Sequence, residues 1–149
     1  MIGIIIVTHG NLALELRNAM EHIIGPQRKI GIICIGPDDN MDKRRIEIEE
    51  LISMVDGGKG VIILTDMFGG TPSNLAISFL DPKKIEVMAG VNLPMLIKLG
   101  SLRENSSLEK AVKSSEEAAH KYISIASEIL SERMLEDNEW EDSNRTRNY

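Results

Sequence analysis

The chain is 149 residues long, with 42% hydrophobic and 27% charged residues; it is sized for one domain with a sizeable core and too apolar for intrinsic disorder. A net charge of -6 and an aromatic content of 3% argue against a nucleic-acid partner or a base-stacking platform. The single cysteine, Cys34, excludes an internal disulfide and a cysteine-cluster metal site, and suits the cytoplasm, the expected location.

Residues 2–7 are apolar without a basic lead-in, and Thr8, His9 and Gly10 follow at once. That pattern predicts a buried strand rather than a signal peptide, and no run approaches the roughly 20 residues of a membrane span. Leu12, Leu16, Ala19, Met20, Ile23 and Ile24 recur at helical spacing until Gly25-Pro26 stops the helix. A second apolar run at 30–35 contains Cys34, expected to be a small buried hydrophobe. Asn40 can cap a helix with Ile48, Leu51, Ile52 and Val55 on its apolar side, ended by Gly57, Gly58 and Gly60. Runs at 61–65 and 85–89 predict two further strands. Between them a short helix is expected from Pro72 to Asp81-Pro82, and another near Asn92-Leu93-Pro94, where proline suits a first turn. Residues 106–130 read as one long helix. Ser106 and Glu109 form its capping box, and Leu108, Val112, Ala119, Tyr122, Ile123, Ala126 and Leu130 its buried stripe. The domain is thus expected over 1–130. Residues 131–149 hold six acidic and three basic residues and read as an acidic, flexible tail, extended or frayed, with Trp140 as a docking point.

Alternation of apolar runs with helical patterns implies an α/β fold on a parallel sheet, because strands covered by helices on both faces are apolar throughout. The expected architecture is doubly wound and flavodoxin-like, in strand order 2-1-3-4, with helices on both faces and room for an extra edge strand. Ligands in such sheets bind beyond the carboxyl ends of the strands at the switch point. There the loop Thr8-His9-Gly10-Asn11 should face the loop running from Asp66 through Gly69-Gly70-Thr71-Pro72-Ser73-Asn74.

Each loop offers part of a phosphoryl-transfer site. His9 is the candidate nucleophile. Asp66 is placed to accept a hydrogen bond from one ring nitrogen, orienting the imidazole and stabilising positive charge on it. The backbone N–H groups of Gly69 and Gly70, with the Thr71 and Ser73 hydroxyls, can cradle a phosphate. Taken singly, His9 could cap a helix, Asp66 could close a turn and Gly69-Gly70 could be a tight bend; it is their coincidence at neighbouring strand ends that favours chemistry. His22 suits a helix C-terminus, and His120 suits packing on the long helix. Three histidines this far apart imply no metal site, and no cofactor is expected. No Gly-x-x-x-x-Gly-Lys-Ser/Thr or Gly-x-Gly-x-x-Gly pattern supports a nucleotide site.

Three segments carry a family resemblance: Val7-Thr8-His9-Gly10, Thr65-Asp66-Met67-Phe68-Gly69-Gly70-Thr71-Pro72-Ser73-Asn74 and Ala89-Gly90-Val91-Asn92-Leu93-Pro94-Met95. Over residues 1–130 the chain resembles enzyme IIA of the mannose family of the bacterial phosphoenolpyruvate:sugar phosphotransferase system. The resemblance implies a phosphohistidine relay in which HPr charges His9, and His9 passes the phosphoryl group to an enzyme IIB. Asp66 matches the family's acidic partner of that histidine, and Thr71 a hydroxyl position. The resemblance also implies a homodimer in which relatives exchange a C-terminal edge strand, although the sequence after Ser106 reads as helix. The acidic tail is too short to be a IIB domain; the expected acceptor is an enzyme IIB or a regulatory target. Two other readings stay open from the residues: a regulatory module read through its phosphorylation state, and a flavodoxin-like scaffold binding a small ligand.

Overall fold

A computed structural model describes residues 1–147. The chain forms two compact units, Met1–Ala119 and His120–Tyr149.

The first unit is built on four parallel strands, β1 (Gly3–His9), β2 (Ile30–Ile35), β3 (Val61–Thr65) and β4 (Ile85–Ala89). Their order is β2-β1-β3-β4, as the pattern of apolar runs predicts. The two central strands are covered on both faces: Gly3 to Thr8 and all of β3 are buried. The edge strands are less so, and β2 alternates buried with half-buried positions. No fifth strand joins the sheet among the described residues, so they do not form the extra edge strand allowed for.

Side-chain alternation along β1 divides the core. Ile4 and Ile6, with Ile62 and Leu64 of β3, pack on Met20 of α1 (Leu12–Ile24), Leu96 and Leu99 of α4 (Leu93–Leu102) and Ala111 of α5 (Leu108–Lys121). Ile5, Val7 and Ile63 face the other way, onto Ile48 of α2 (Met41–Val55) and Leu75 and Ala76 of α3 (Thr71–Ile77). Each fully buried isoleucine contributes about 1.5–3 kcal/mol of transfer free energy.

The expected caps form where a side chain can reach the first turn. Asn40 accepts from the N–H groups of Asp42 and Lys43, and Asn92 from that of Met95. The capping box expected from Ser106 and Glu109 does not form: α5 starts at Leu108, and the Ser107 hydroxyl meets the Lys110 N–H at 3.3 Å. In α1 the buried residues are Ala13 and Met20, while Leu12 and Ile23 are exposed. Cys34 is half-buried rather than buried.

The single helix expected over 106–130 is broken. After Lys121 the chain leaves the helical path, and Ile125 is extended before α6 (Ala126–Thr146) begins. The intervening Ile123 and Ile125 are β-branched, which disfavours helix, and both are exposed, so packing does not override that preference. Tyr122, Ile123 and Leu130 of the predicted stripe are exposed as well. The acidic segment, expected to be extended or frayed, is helical to Thr146, as its Glu, Leu, Met and Arg content favours. Trp140 is 70% exposed. Among the described residues no helix is long and apolar enough to cross a membrane.

Candidate functional site

The parallel register brings the site together. Val7 of β1 pairs with both Ile33 and Thr65, so β1 reaches past the end of β3 and carries His9 beside Asp66. Two loop contacts hold this end. The buried Thr8 hydroxyl accepts the Ala13 N–H at 2.7 Å and caps α1, and the Gly10 N–H donates to the Ile35 carbonyl at 2.8 Å.

His9 and Asp66 meet directly. The His9 Nδ1 lies 2.7 Å from Asp66 Oδ2, and the same oxygen accepts the His9 backbone N–H at 2.9 Å. The other carboxylate oxygen accepts the Met67 N–H at 2.9 Å. Burial works to raise the Asp66 pKa, but the His9 N–H, the His9 ring and the Met67 N–H together outweigh it and hold the carboxyl below its ordinary range. An ionised carboxylate only accepts, so Nδ1 carries a proton, and in the neutral ring the lone pair is then on Nε2. The imidazole is half-exposed, at 52%, whereas the Asp66 side chain is 14% exposed: the orienting group is sheltered and the ring is open.

The β3–α3 loop passes against the ring. A Cβ built at Gly70 would lie 3.0 Å from His9 Cε1 and 3.5 Å from Nε2, so only glycine leaves that edge of the imidazole unobstructed. Gly69 turns the loop with a φ of +87°. Thr71 is exposed and lines the same crevice as His9. Ser73 differs from its expected place. It is fully buried, its Oγ accepts the Gly69 N–H at 2.9 Å, and its hydroxyl donates to the Gly70 carbonyl at 3.0 Å. Its hydroxyl therefore shapes the loop and also occupies the Gly69 amide. The N–H groups of Gly70 and Thr71 and the Thr71 hydroxyl have no hydrogen-bond partner among the described residues.

A wall of the crevice that sequence reasoning missed comes from the segment after β2. The space is about 390 Å³ and is lined by Gly36, Pro37, Asp39 and Met41 as well as His9 and Thr71. Asp39 accepts the Gly36 N–H at 2.9 Å and pairs with Arg44 at 2.8 Å; the Gly36 bond, followed by Arg44, lowers its pKa. Arg44 also binds Glu47 at 2.7 Å and the Cys34 carbonyl at 3.0 Å, tying the loop to the end of β2. The Gly36-Pro37-Asp38-Asp39 turn was a visible signal for a loop here, but nothing local showed that it would face His9. His22 and His120 are exposed in the last turns of α1 and α5. Among the described residues no three His, Cys, Asp or Glu side chains gather as a metal site.

The family model described as the PTS system fructose IIA component, EIIA-man, matches residues 3–116. The chain belongs to this family. The IIA chain is 35% identical over 105 residues to a mannose-specific EIIAB component of the PTS from Escherichia coli, covering 70% of this chain and 32% of that protein. It thus spans about a third of the length of that relative. It is 28% identical over 131 residues to a fructose-specific EIIA component from Bacillus subtilis, covering 87% of this chain and 90% of the relative. The crystal structure of a phosphotransferase system component EIIA from Streptococcus agalactiae superposes with a TM-score of 0.77 at 29% identity, over 85% of this chain and 98% of that one. The match to residues 3–116 includes both site loops. The fold is that of PTS IIA proteins of the mannose type.

Proposed function

We propose that the IIA chain is a phosphohistidine carrier that accepts a phosphoryl group from HPr on His9 and passes it to an enzyme IIB, or displays it as a regulatory signal. The observation that carries this reading is the 2.7 Å contact of Nδ1 with Asp66, which leaves the Nε2 lone pair for attack. Nε2 forms a bond to phosphorus as the donor's N–P bond breaks, and the donor imidazole recovers its electron pair. The proton on Nδ1 stays in place, so the ring becomes positive and the Asp66 carboxylate opposes that charge. Onward transfer reverses these roles.

The phosphate is met by the N–H groups of Gly70 and Thr71 and the Thr71 hydroxyl. Charge-assisted hydrogen bonds of this kind are worth about 1.5–3 kcal/mol each. Gly69 and Ser73 act behind them by holding the loop. Beside the ring, Met67 and Phe68 are 58% and 75% exposed, an apolar rim suited to brief docking of a partner protein. The relatives named for mannose and fructose support sugar transport as the process; the cytoplasm is the place proposed for it.

Incubation with enzyme I, HPr and labelled phosphoenolpyruvate tests the reading. His9→Ala should abolish labelling, while His22→Ala and His120→Ala should retain it. Stoichiometric labelling of folded His9→Ala would overturn the proposal.

A further inference from the structure

The His9 ring has two unlike neighbours. The β3–α3 loop brings the N–H groups of Gly70 and Thr71 and the Thr71 hydroxyl, donors without a partner among the described residues. The segment after β2 differs. The Gly10 N–H is taken by the Ile35 carbonyl at 2.8 Å, the Gly36 N–H by Asp39 Oδ2 at 2.9 Å, and Pro37 has none. What this wall brings to the crevice is the Asp39 carboxylate. It lies against Gly36, itself a lining residue: a Cβ built there would stand 3.2 Å from Asp39 Oδ1.

Among the residues lining the crevice with His9, Asp39 is the one carboxylate, and none is a lysine or arginine. The Asp39 side chain is 25% exposed. Its cation is shared: Arg44 meets Asp39 at 2.8 Å and Glu47 at 2.7 Å, so the three side chains together keep one net negative charge. Ile35, Pro37 and Met41 make the rest of this wall apolar. A round space of about 390 Å³ is about 9 Å across, close to the Debye length at physiological salt, about 8 Å. A phosphoryl group on the ring brings about two negative charges, and it meets the field of Asp39 before salt has screened it away.

We infer that Asp39 sets how firmly His9 holds a phosphoryl group: its carboxylate opposes the group across the crevice and keeps it poised for onward transfer. The inference rests on His9 being the phosphoryl carrier proposed above. In that step one N–P bond replaces another. The bond to Nε2 forms as the donor's N–P bond breaks, the donor nitrogen recovers its electron pair, and no proton moves. Bonds of the same kind are made and broken, so the charges around each imidazole decide the balance. The two carboxylates act in opposite senses. Asp66 holds Nδ1 and favours the positive ring, whereas Asp39 lines the space beside the ring and disfavours the anion placed on it.

The equilibrium of phosphoryl exchange between HPr and the whole IIA chain tests this, read with a labelled phosphoryl group after enzyme I and phosphoenolpyruvate are removed. Asp39→Asn keeps the shape, and its amide oxygen still accepts the Gly36 N–H. At a fixed ratio of phosphorylated to free HPr, the ratio of phosphorylated to free IIA should rise about two- to fivefold, the size of one exposed charge–charge contact. The rise should shrink in about 0.5 M salt. Glu47→Gln removes the same charge from the same network, but Glu47 does not line the crevice, and it should move the ratio less. A carboxylate that only holds the loop, or only aids docking of HPr, would change the transfer rates in both directions and leave the ratio alone. An unchanged ratio in Asp39→Asn, or an equal rise in Glu47→Gln, would overturn the inference while labelling of the wild type left the carrier reading intact. A wild-type chain that took no label from HPr would remove both.

Discussion

Asp66 does two jobs for His9 with one oxygen: it accepts the backbone N–H at 2.9 Å and the ring Nδ1 at 2.7 Å. Asp66→Asn keeps the shape but can present an amide N–H to the ring and favour the other tautomer. Phosphoryl transfer from HPr should slow by roughly 10²–10⁴-fold, by analogy with loss of the orienting carboxylate in a catalytic triad. The same pair predicts a pH dependence. The folded pKa of Asp66 is lowered, so its contribution to stability is present above the unfolded value near pH 4 and is lost as pH falls through the folded value. The stability gap between wild type and Asp66→Asn, measured by urea denaturation, should therefore be full at pH 7 and close below about pH 4. Gly70→Ala is a sharper probe of geometry. A methyl 3.0 Å from Cε1 must displace the ring or the loop, so transfer should fall by at least about tenfold, while the melting temperature moves by only a few degrees. Unchanged transfer kinetics would show that the ring edge against Gly70 is not the reacting edge.

At the scale of elements, β1 and β3 form the rigid base of the site. Ile5 is fully buried in the centre of the sheet against the face covered by α2 and α3. Ile5→Ala should cost about 2–5 kcal/mol, read from denaturant midpoints. Arg103 belongs to the same framework at the far end. It is 1% exposed and donates to the Ile2 and Lys29 carbonyls at 2.9 Å each, while burial pulls its pKa down to about 10. It remains charged at neutral pH and bridges the segments entering β1 and β2. α6 is the opposite case, since none of its residues is buried. Its amides should exchange with solvent orders of magnitude faster than those of β1, measured by hydrogen exchange and mass spectrometry. Equal protection in the two would mean that α6 is covered by something outside this chain.

For the whole molecule, β2 and β4 are the outer strands of the sheet among the described residues, and β4, with its half-buried positions, is an edge that a second copy could extend. We expect a homodimer, detected as twice the chain mass of 16.5 kDa by light scattering at micromolar concentration. A mass of one chain would remove that expectation without touching the chemistry at His9.

Much of this architecture was legible from local pattern. The apolar runs at 30–35, 61–65 and 85–89 became strands with those bounds. Asn40 and Asn92 capped the helices they precede, because caps and buried strands depend on neighbours in sequence and on hydrophobicity alone. The choice of His9 and Asp66 came from their places at strand ends. What the tertiary structure alone decided lies between residues far apart. The carboxylate meets the ring across 57 positions, and Arg103 reaches Ile2 across 101. Ser73 read as an open hydroxyl, yet folding turned it inward onto Gly69 and Gly70. The break at 122–125 depended on whether Tyr122 and Ile123 would find a surface to bury against, and they did not. Periodicity in a sequence records how much of each element is hidden from water; which atoms then meet is set by strand register and helix placement, and those are fixed only when the whole core packs.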